Sequence, residues 1–302
     1  MKEAARHFLG LPSGLFATVV LAALAICVAA APWLESALGL DANAVDLFAR
    51  AQGPSMTHWL GTDELGRDLL LRLLHGGRVS LTVGLAGACG AAVIGTLVGL
   101  WAGYAGGRVD AFLMRVTDGV LSLPLLPLLI VLAAIDPRKL GVSPTVVDEE
   151  WLSLYRIVAI VALFGWTVVA RLVRGATLSV REMDYVQAAI SAGAGAARIM
   201  FVHIFPNVVT PLLIATTLAV GNVVLLESVL SFLGLGIQPP LPSWGNMLSN
   251  AQELIHSAPH LALYPGLLIF ITVLSVNLLG DALQATLNPR IRNGLRSQRS
   301  NR

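Results

Sequence analysis

The sequence predicts an all-α polytopic membrane protein of six transmembrane helices with both termini in the cytoplasm, and three observations carry that prediction. Mean hydropathy is +0.75, and only 13% of the 302 residues are charged, where a soluble domain carries about a quarter. Uncharged runs recur that, at about 1.5 Å per helical residue, are long enough to cross a hydrocarbon core of roughly 30 Å. With the termini inside, the internal segments hold 13 of the 20 Lys and Arg residues, the bias that marks a cytoplasmic side. A formal net charge of +2 says little by itself about partners.

The first span is 15–34, with Pro32 and Trp33 at its far interface. Lys2, Arg6 and His7 before it resemble a signal peptide, but no A-x-A site leads into a soluble domain, so the run is expected to stay as a helix. Residues 35–78 are mixed and polar, an ordered loop outside the membrane with short amphipathic helices, and close a first unit at 1–78. The second span, 79–107, carries Gly84, Gly87, Gly90, Gly95, Gly99 and Gly103 near helical spacing, which allows close helix packing, and ends in the turn AGGR. In the third, 111–135, Arg115 and Asp118 lie one turn apart, and Pro124 and Pro127 predict a kinked helix. A polar connection ending in Asp148, Glu149 and Glu150 leads to the fourth span, 151–173, bracketed by Arg156 and Arg171. The fifth is 208–235, followed by GIQPPLPSWGNML, too broken by proline and glycine to face lipid, and the sixth is 261–280. These five spans, with a cytoplasmic loop at about 175–207, form a core of 79–287, and 288–302 is a basic tail. Cys27 and Cys89 lie inside apolar runs, where a small hydrophobe is expected rather than a disulfide.

Absences constrain the chemistry. The two lysines, Lys2 and Lys139, follow no glycine-rich phosphate loop, and neither H-E-x-x-H nor G-x-S-x-G occurs. An enzyme reading has no positive support, no metal site is expected, and the spans nearly lack the mid-membrane ionisable residues of a channel or ion-coupled carrier. Energy must then come from elsewhere. The stretch 185–207, YVQAAISAGAGAARIMFVHIFPN, is too rich in small residues for a core and too helix-prone for a mere loop, and reads as a handle gripped by another molecule.

Within it Gln187-Ala188-Ala189, Gly193 and Ile204-Phe205-Pro206 resemble the EAA motif of permease subunits of bacterial ABC importers. The resemblance implies short coupling helices that dock in a cleft of the ATPase. Small side chains suit such docking, and Gly193 can supply the turn that ends the first helix. An interfacial helical hairpin is the plain alternative. Gln187 stands where the family has glutamate, which removes a charge from docking, and Phe205 stands for leucine. A second motif, Gly61-Thr62-Asp63 with Gly66-Arg67-Asp68, resembles the signature of the peptide and nickel branch of these permeases. Locally it is a helix start, with Thr62 or Asp63 as N-cap; a salt-bridged surface turn and a contact for a binding protein are both open. The third, from Glu227, Ser228 and Ser231 to Pro240 and Trp244, is similar to the same branch. Helical rise places Glu227 near the outer interface, either as a carboxylate paired with a neighbouring donor or as part of an outer gate under a compact cap.

Across nearly the whole chain the resemblance implies the type I ABC importer permease fold in a bacterial cytoplasmic (inner) membrane. It implies the smaller of two homologous permeases, a homologous second permease subunit, two ATP-binding subunits carrying the ATP and Mg, and an extracytoplasmic substrate-binding protein. This chain would bind no cofactor of its own, contact the lipid bilayer and meet no nucleic acid. The cargo expected is di- or oligopeptide, with nickel, opines or another small solute as the alternative and a self-sufficient channel or ion-coupled carrier as the rival of another class. No polar cluster in the spans marks a substrate pocket. The segment 136–155 is longer and more acidic than the resemblance explains, a solvated loop or a binding-protein contact.

Overall fold

A computed structural model describes residues 8, 10–135, 137–141, 143 and 151–287. Lys2, Arg6, the acidic run at 148–150 and the basic tail at 288–302 lie outside the described residues. Those described are predominantly helical, with one isolated antiparallel bridge, Thr62 to Asp68. Among the described residues five helices are long and apolar enough to cross a membrane, or six if one bent pair is counted as a single span.

Helix α1 (Pro12–Ala29) begins with proline in its first turn, where the missing N–H costs nothing. Pro32 then opens a separate short helix, α2 (Ala31–Leu38), so the expected first span is divided and Trp33 marks the start of α2 rather than the end of a crossing. Helix α3 (Leu69–Ala105) has 37 residues, roughly 55 Å of helix. It begins ten residues before the expected second span, so the division expected at 78 falls inside it. Arg72 and Arg78, which read as loop charges, lie on its first turns.

The glycines of α3 form a seam against α6 (Leu152–Arg181), which runs two turns beyond the expected fourth span. A Cβ on Gly95 would stand 2.6 Å from the Trp166 carbonyl oxygen, and one on Gly99 2.6 Å from that of Ala170. Both approaches require glycine, and their matching order along the two helices makes α3 and α6 parallel neighbours. Between them in sequence the expected kinked span is two helices, α4 (Gly107–Ser122) and α5 (Leu125–Ala134), bent by 82°. Leu123 is extended because the residue before a proline is excluded from the α region, and Pro124 caps α5. Asp118 reaches across to Arg171 at 2.5 Å, and Asp110 takes a bidentate contact from Arg174 at 2.5 and 2.6 Å, which ties α4 to α6.

Helix α7 (Asp184–Ser191) leads to α8 (Ala196–Phe232), which passes through a π-helical turn at Ile199–Ile204. After an irregular stretch come α9 (Trp244–Ala251) and α10 (His260–Leu287). Helix α8 runs against α3, with Gly84 on Val224, and α10 runs against α8, with Gly280 on Leu218. The bundle therefore has two distinct ends. One gathers the 39–68 loop, the starts of α3 and α6 and the end of α8 beneath α9. The other gathers the α3–α4 turn, α7 and the π-helical turn. Outward faces stay apolar between them, with Phe16, Val93, Trp101 and Phe270 exposed, as a lipid-facing surface requires. Cys27 and Cys89 are free and lie on such faces.

Candidate functional site

The residues singled out in the sequence fall at both ends. At the first, residues 61–68 form a knot. Gly61 and Gly66 adopt positive φ, and a Cβ on Gly66 would lie 1.7 Å from the Asp46 carbonyl oxygen. The chain folds back so that Asp63 N–H donates to the Arg67 carbonyl at 2.9 Å. Asp63 is the hub: Oδ1 accepts the N–H groups of Leu65 and Arg67 at 2.9 Å each, while Oδ2 accepts Arg67 Nε at 2.7 Å and lies 3.2 Å from Arg72 Nε. Arg67 also reaches Glu64 at 2.8 Å, and Thr62 Oγ1 donates to the Ala49 carbonyl. The N-cap of α3 is Asp68 rather than Thr62 or Asp63: its Oδ1 accepts Leu71 N–H at 2.8 Å, and its Oδ2 sits 2.9 Å from His58 Nδ1. Thr62, Asp63, Arg67, Asp68 and Arg72 are all buried. These charged groups face one another. His58 and Arg72 went unselected in the sequence because only the fold-back brings them to Asp68 and Asp63.

Beside the knot, Glu227 joins α8 to α3. It is fully buried, with Oε2 accepting Ser80 Oγ–H at 2.9 Å and Oε1 accepting Ser231 Oγ–H at 2.7 Å. Each serine oxygen in turn accepts a backbone N–H, Ser80 from Trp244 at 3.2 Å and Ser231 from Ile237 at 3.0 Å. Every polar atom of the group therefore has a partner, which a dry helix interface demands. Trp244, buried, donates Nε1–H to the Leu73 carbonyl at 2.9 Å, and Ser243 with Asn246 closes a capping box on α9. Ser228 bonds back to the Val224 carbonyl at 2.8 Å, and Gly245 lies so close that a Cβ would stand 2.6 Å from Ser228 Cα. Pro240 is exposed at the rim of this cap. Ser80, the partner that links the helices, carries no local signal in the sequence.

At the opposite end α7 is mostly exposed. Val186 is its only buried residue, held with Ile199, Ile204 and Val208. Gly193 at φ +79° ends the helix in a Schellman turn, with Ala194 N–H reaching the Ala189 carbonyl and Gly193 N–H that of Ile190. Gln187 Nε2 donates to the Arg181 carbonyl at 2.9 Å, closing the corner between α6 and α7. The His203 carbonyl, at the π-helical turn, accepts Asn207 Nδ2 at 2.9 Å and Tyr185 Oη at 3.4 Å. Asn207 also donates to Tyr185 Oη at 2.9 Å, so α7 is pinned to the root of α8. Ala188 and Pro206 are exposed, Ala189 is half-buried and Ile204 is fully buried. Around them Met183, Tyr185, Ile190, Phe201 and Val202 present apolar surface to the exterior at the end of the bundle. Among the described residues, no group of His, Cys, Asp and Glu is placed to hold a metal ion.

Residues 95–293 match the family described as binding-protein-dependent transport system inner membrane component. The chain is similar to the glutathione transport system permease protein GsiD of Pectobacterium atrosepticum, at 37% identity over 95% of this chain and 89% of the relative. It is similar to the dipeptide transport system permease protein DppC of Alkalihalophilus pseudofirmus, at 38% identity over 87% of this chain and 81% of the relative. The di/tripeptide transport system permease protein DppC of Pseudomonas aeruginosa is 41% identical over 80% of this chain and 75% of its own length.

Proposed function

Because the chain belongs to the family of binding-protein-dependent transport system inner membrane components, a multi-pass permease of ABC importers, we propose that it forms half of an inward pathway for di- or oligopeptides. The relatives named for dipeptide, di/tripeptide and glutathione transport support that cargo. In this reading a homologous permease supplies the other half, two ATP-binding subunits supply the energy, and a binding protein delivers the peptide. In this reading the end that carries α7 faces the cytoplasm. No bond is made or broken by this chain, and ATP and Mg stay on the ATPase subunits.

The observation that carries the proposal is the exposed α7, a helix that buries one residue of its own and shows apolar surface to the exterior. An ATPase cleft that closes on Ala188, Ala189 and Ile190 gains that apolar area. Force applied there has two routes. Tyr185 and Asn207 pass it to the root of α8, and Gln187 passes it to the end of α6. Helix α6 moves with α3 because their backbones meet along the glycine seam. At the far end Glu227, Ser80 and Ser231 join α8, α3 and the α9 cap, so a tilt of α8 against α3 works directly on the outer gate.

Reconstitution tests this. The purified chain alone hydrolyses no ATP, and deletion of residues 188–193 abolishes peptide uptake by the complete complex while membrane insertion persists. Undiminished uptake by the deletion overturns the coupling role of α7.

A further inference from the structure

At the end of the bundle remote from α7, a cavity of about 240 Å³ opens between α2, α3, the start of α6 and residues 241–242. Its polar wall is Glu35, Asn43, His75, Arg78 and Thr82. Most of these are engaged. Glu35 accepts Ala42 N–H at 2.9 Å on one oxygen and meets His75 Nε2 at 2.8 Å with the other, while Asn43 Oδ1 accepts Arg72 Nη1 at 3.2 Å. Among the described residues Arg78 and Thr82 make no hydrogen bond or ion pair. Glu35 faces His75, so among the described residues of the lining the exposed guanidinium of Arg78 is the charge without a partner. The facing wall is apolar, with Leu154, Leu241 and Pro242.

A free guanidinium offers five donors in a fork that fits a carboxylate. The cavity has room for the last residue or two of a peptide. We propose that this cavity receives the C-terminal carboxylate of the transported peptide, held by Arg78 with Thr82, while the Leu154–Leu241 wall takes the adjoining side chain. The proposal rests on the peptide-importer reading and on the outward placement of this end. It makes Arg78 a specificity-determining residue of the pathway, entered as peptide leaves the binding protein.

The test uses the complete reconstituted complex with its binding protein saturated by either dialanine or its C-terminal amide. The wild type carries dialanine faster than the amide. In Arg78→Gln that preference falls about tenfold, the scale of a lost hydrogen bond to a charged group, with amide uptake unchanged. Arg78→Lys, which keeps the charge without the fork, retains part of the preference. An equal loss for acid and amide assigns Arg78 to docking of the binding protein or to folding and overturns the proposal, as does an unchanged preference. Wild-type complex that carries no dialanine overturns the peptide reading as well, whereas wild-type uptake with an indifferent Arg78→Gln overturns the cavity alone.

Discussion

The knot at 61–68 and the 184–207 segment lie at opposite ends of the bundle and use their residues in opposite ways. The knot is dense in charge, yet Asp63, Arg67 and Asp68 are buried and spend their hydrogen-bonding capacity on one another and on nearby backbone, including the cap of α3. The 184–207 segment is dense in small and apolar residues, yet Tyr185, Ile190, Phe201 and Val202 lie exposed, and its internal bonds serve only to hold α7 on its two neighbouring helices. A motif whose polar groups are satisfied internally builds the fold. One whose apolar groups are left outside waits for a partner. Substitutions at the first should therefore change stability, and those at the second should change transport.

The largest effect on stability is expected from Asp63→Ala, which leaves the buried guanidinium groups of Arg67 and Arg72 without their shared carboxylate. Breaking a buried pair costs about 3 to 5 kcal/mol, read as a large fall in the thermal midpoint of the detergent-solubilised chain. Wild-type stability in that variant would mean that the knot does not support itself. Next comes Gly66→Ala, where φ +76° and the Asp46 carbonyl leave no room for a Cβ. Strain and overpacking together amount to about 3 kcal/mol, and the same melt should resolve it. Trp244→Phe removes the indole donor to the Leu73 carbonyl, which keeps its helical partner, a loss of about 1 kcal/mol.

At the other end the scale inverts. Gln187→Glu replaces an amide donor by a carboxylate beside the Arg181 carbonyl, about 1 kcal/mol of lost hydrogen bonding. Faster amide exchange at residues 181–187 would register it, and unchanged exchange would remove Gln187 from the α6–α7 corner. Smallest in stability is Ile190→Asp, on an exposed face and within about 0.5 kcal/mol of wild type. Its expected consequence is loss of peptide uptake by the assembled complex at normal expression, and full uptake would end the distinction between the two regions.

Composition and charge-free runs alone determine the helical, multi-pass character of the chain, because a lipid core leaves a spanning segment no other way to satisfy its backbone. The Gly193 turn and the glycine seam of α3 were also legible, since each depends on what one residue lacks. Tertiary structure decided the rest. The α3 start at Leu69 was hidden because Arg72 and Arg78 read as loop until Asp63 and the cavity gave them surroundings. Proline spacing predicts a kink, but not the 82° bend at Leu123–Pro124, across which α4 meets α6 through Asp110 and Asp118. Ser80 became the partner of Glu227 only across 147 residues. Local sequence specifies what a segment cannot do without, such as a missing Cβ or twenty uncharged positions. Which distant group satisfies a buried charge depends on how helices meet, and that is a property of the packed bundle.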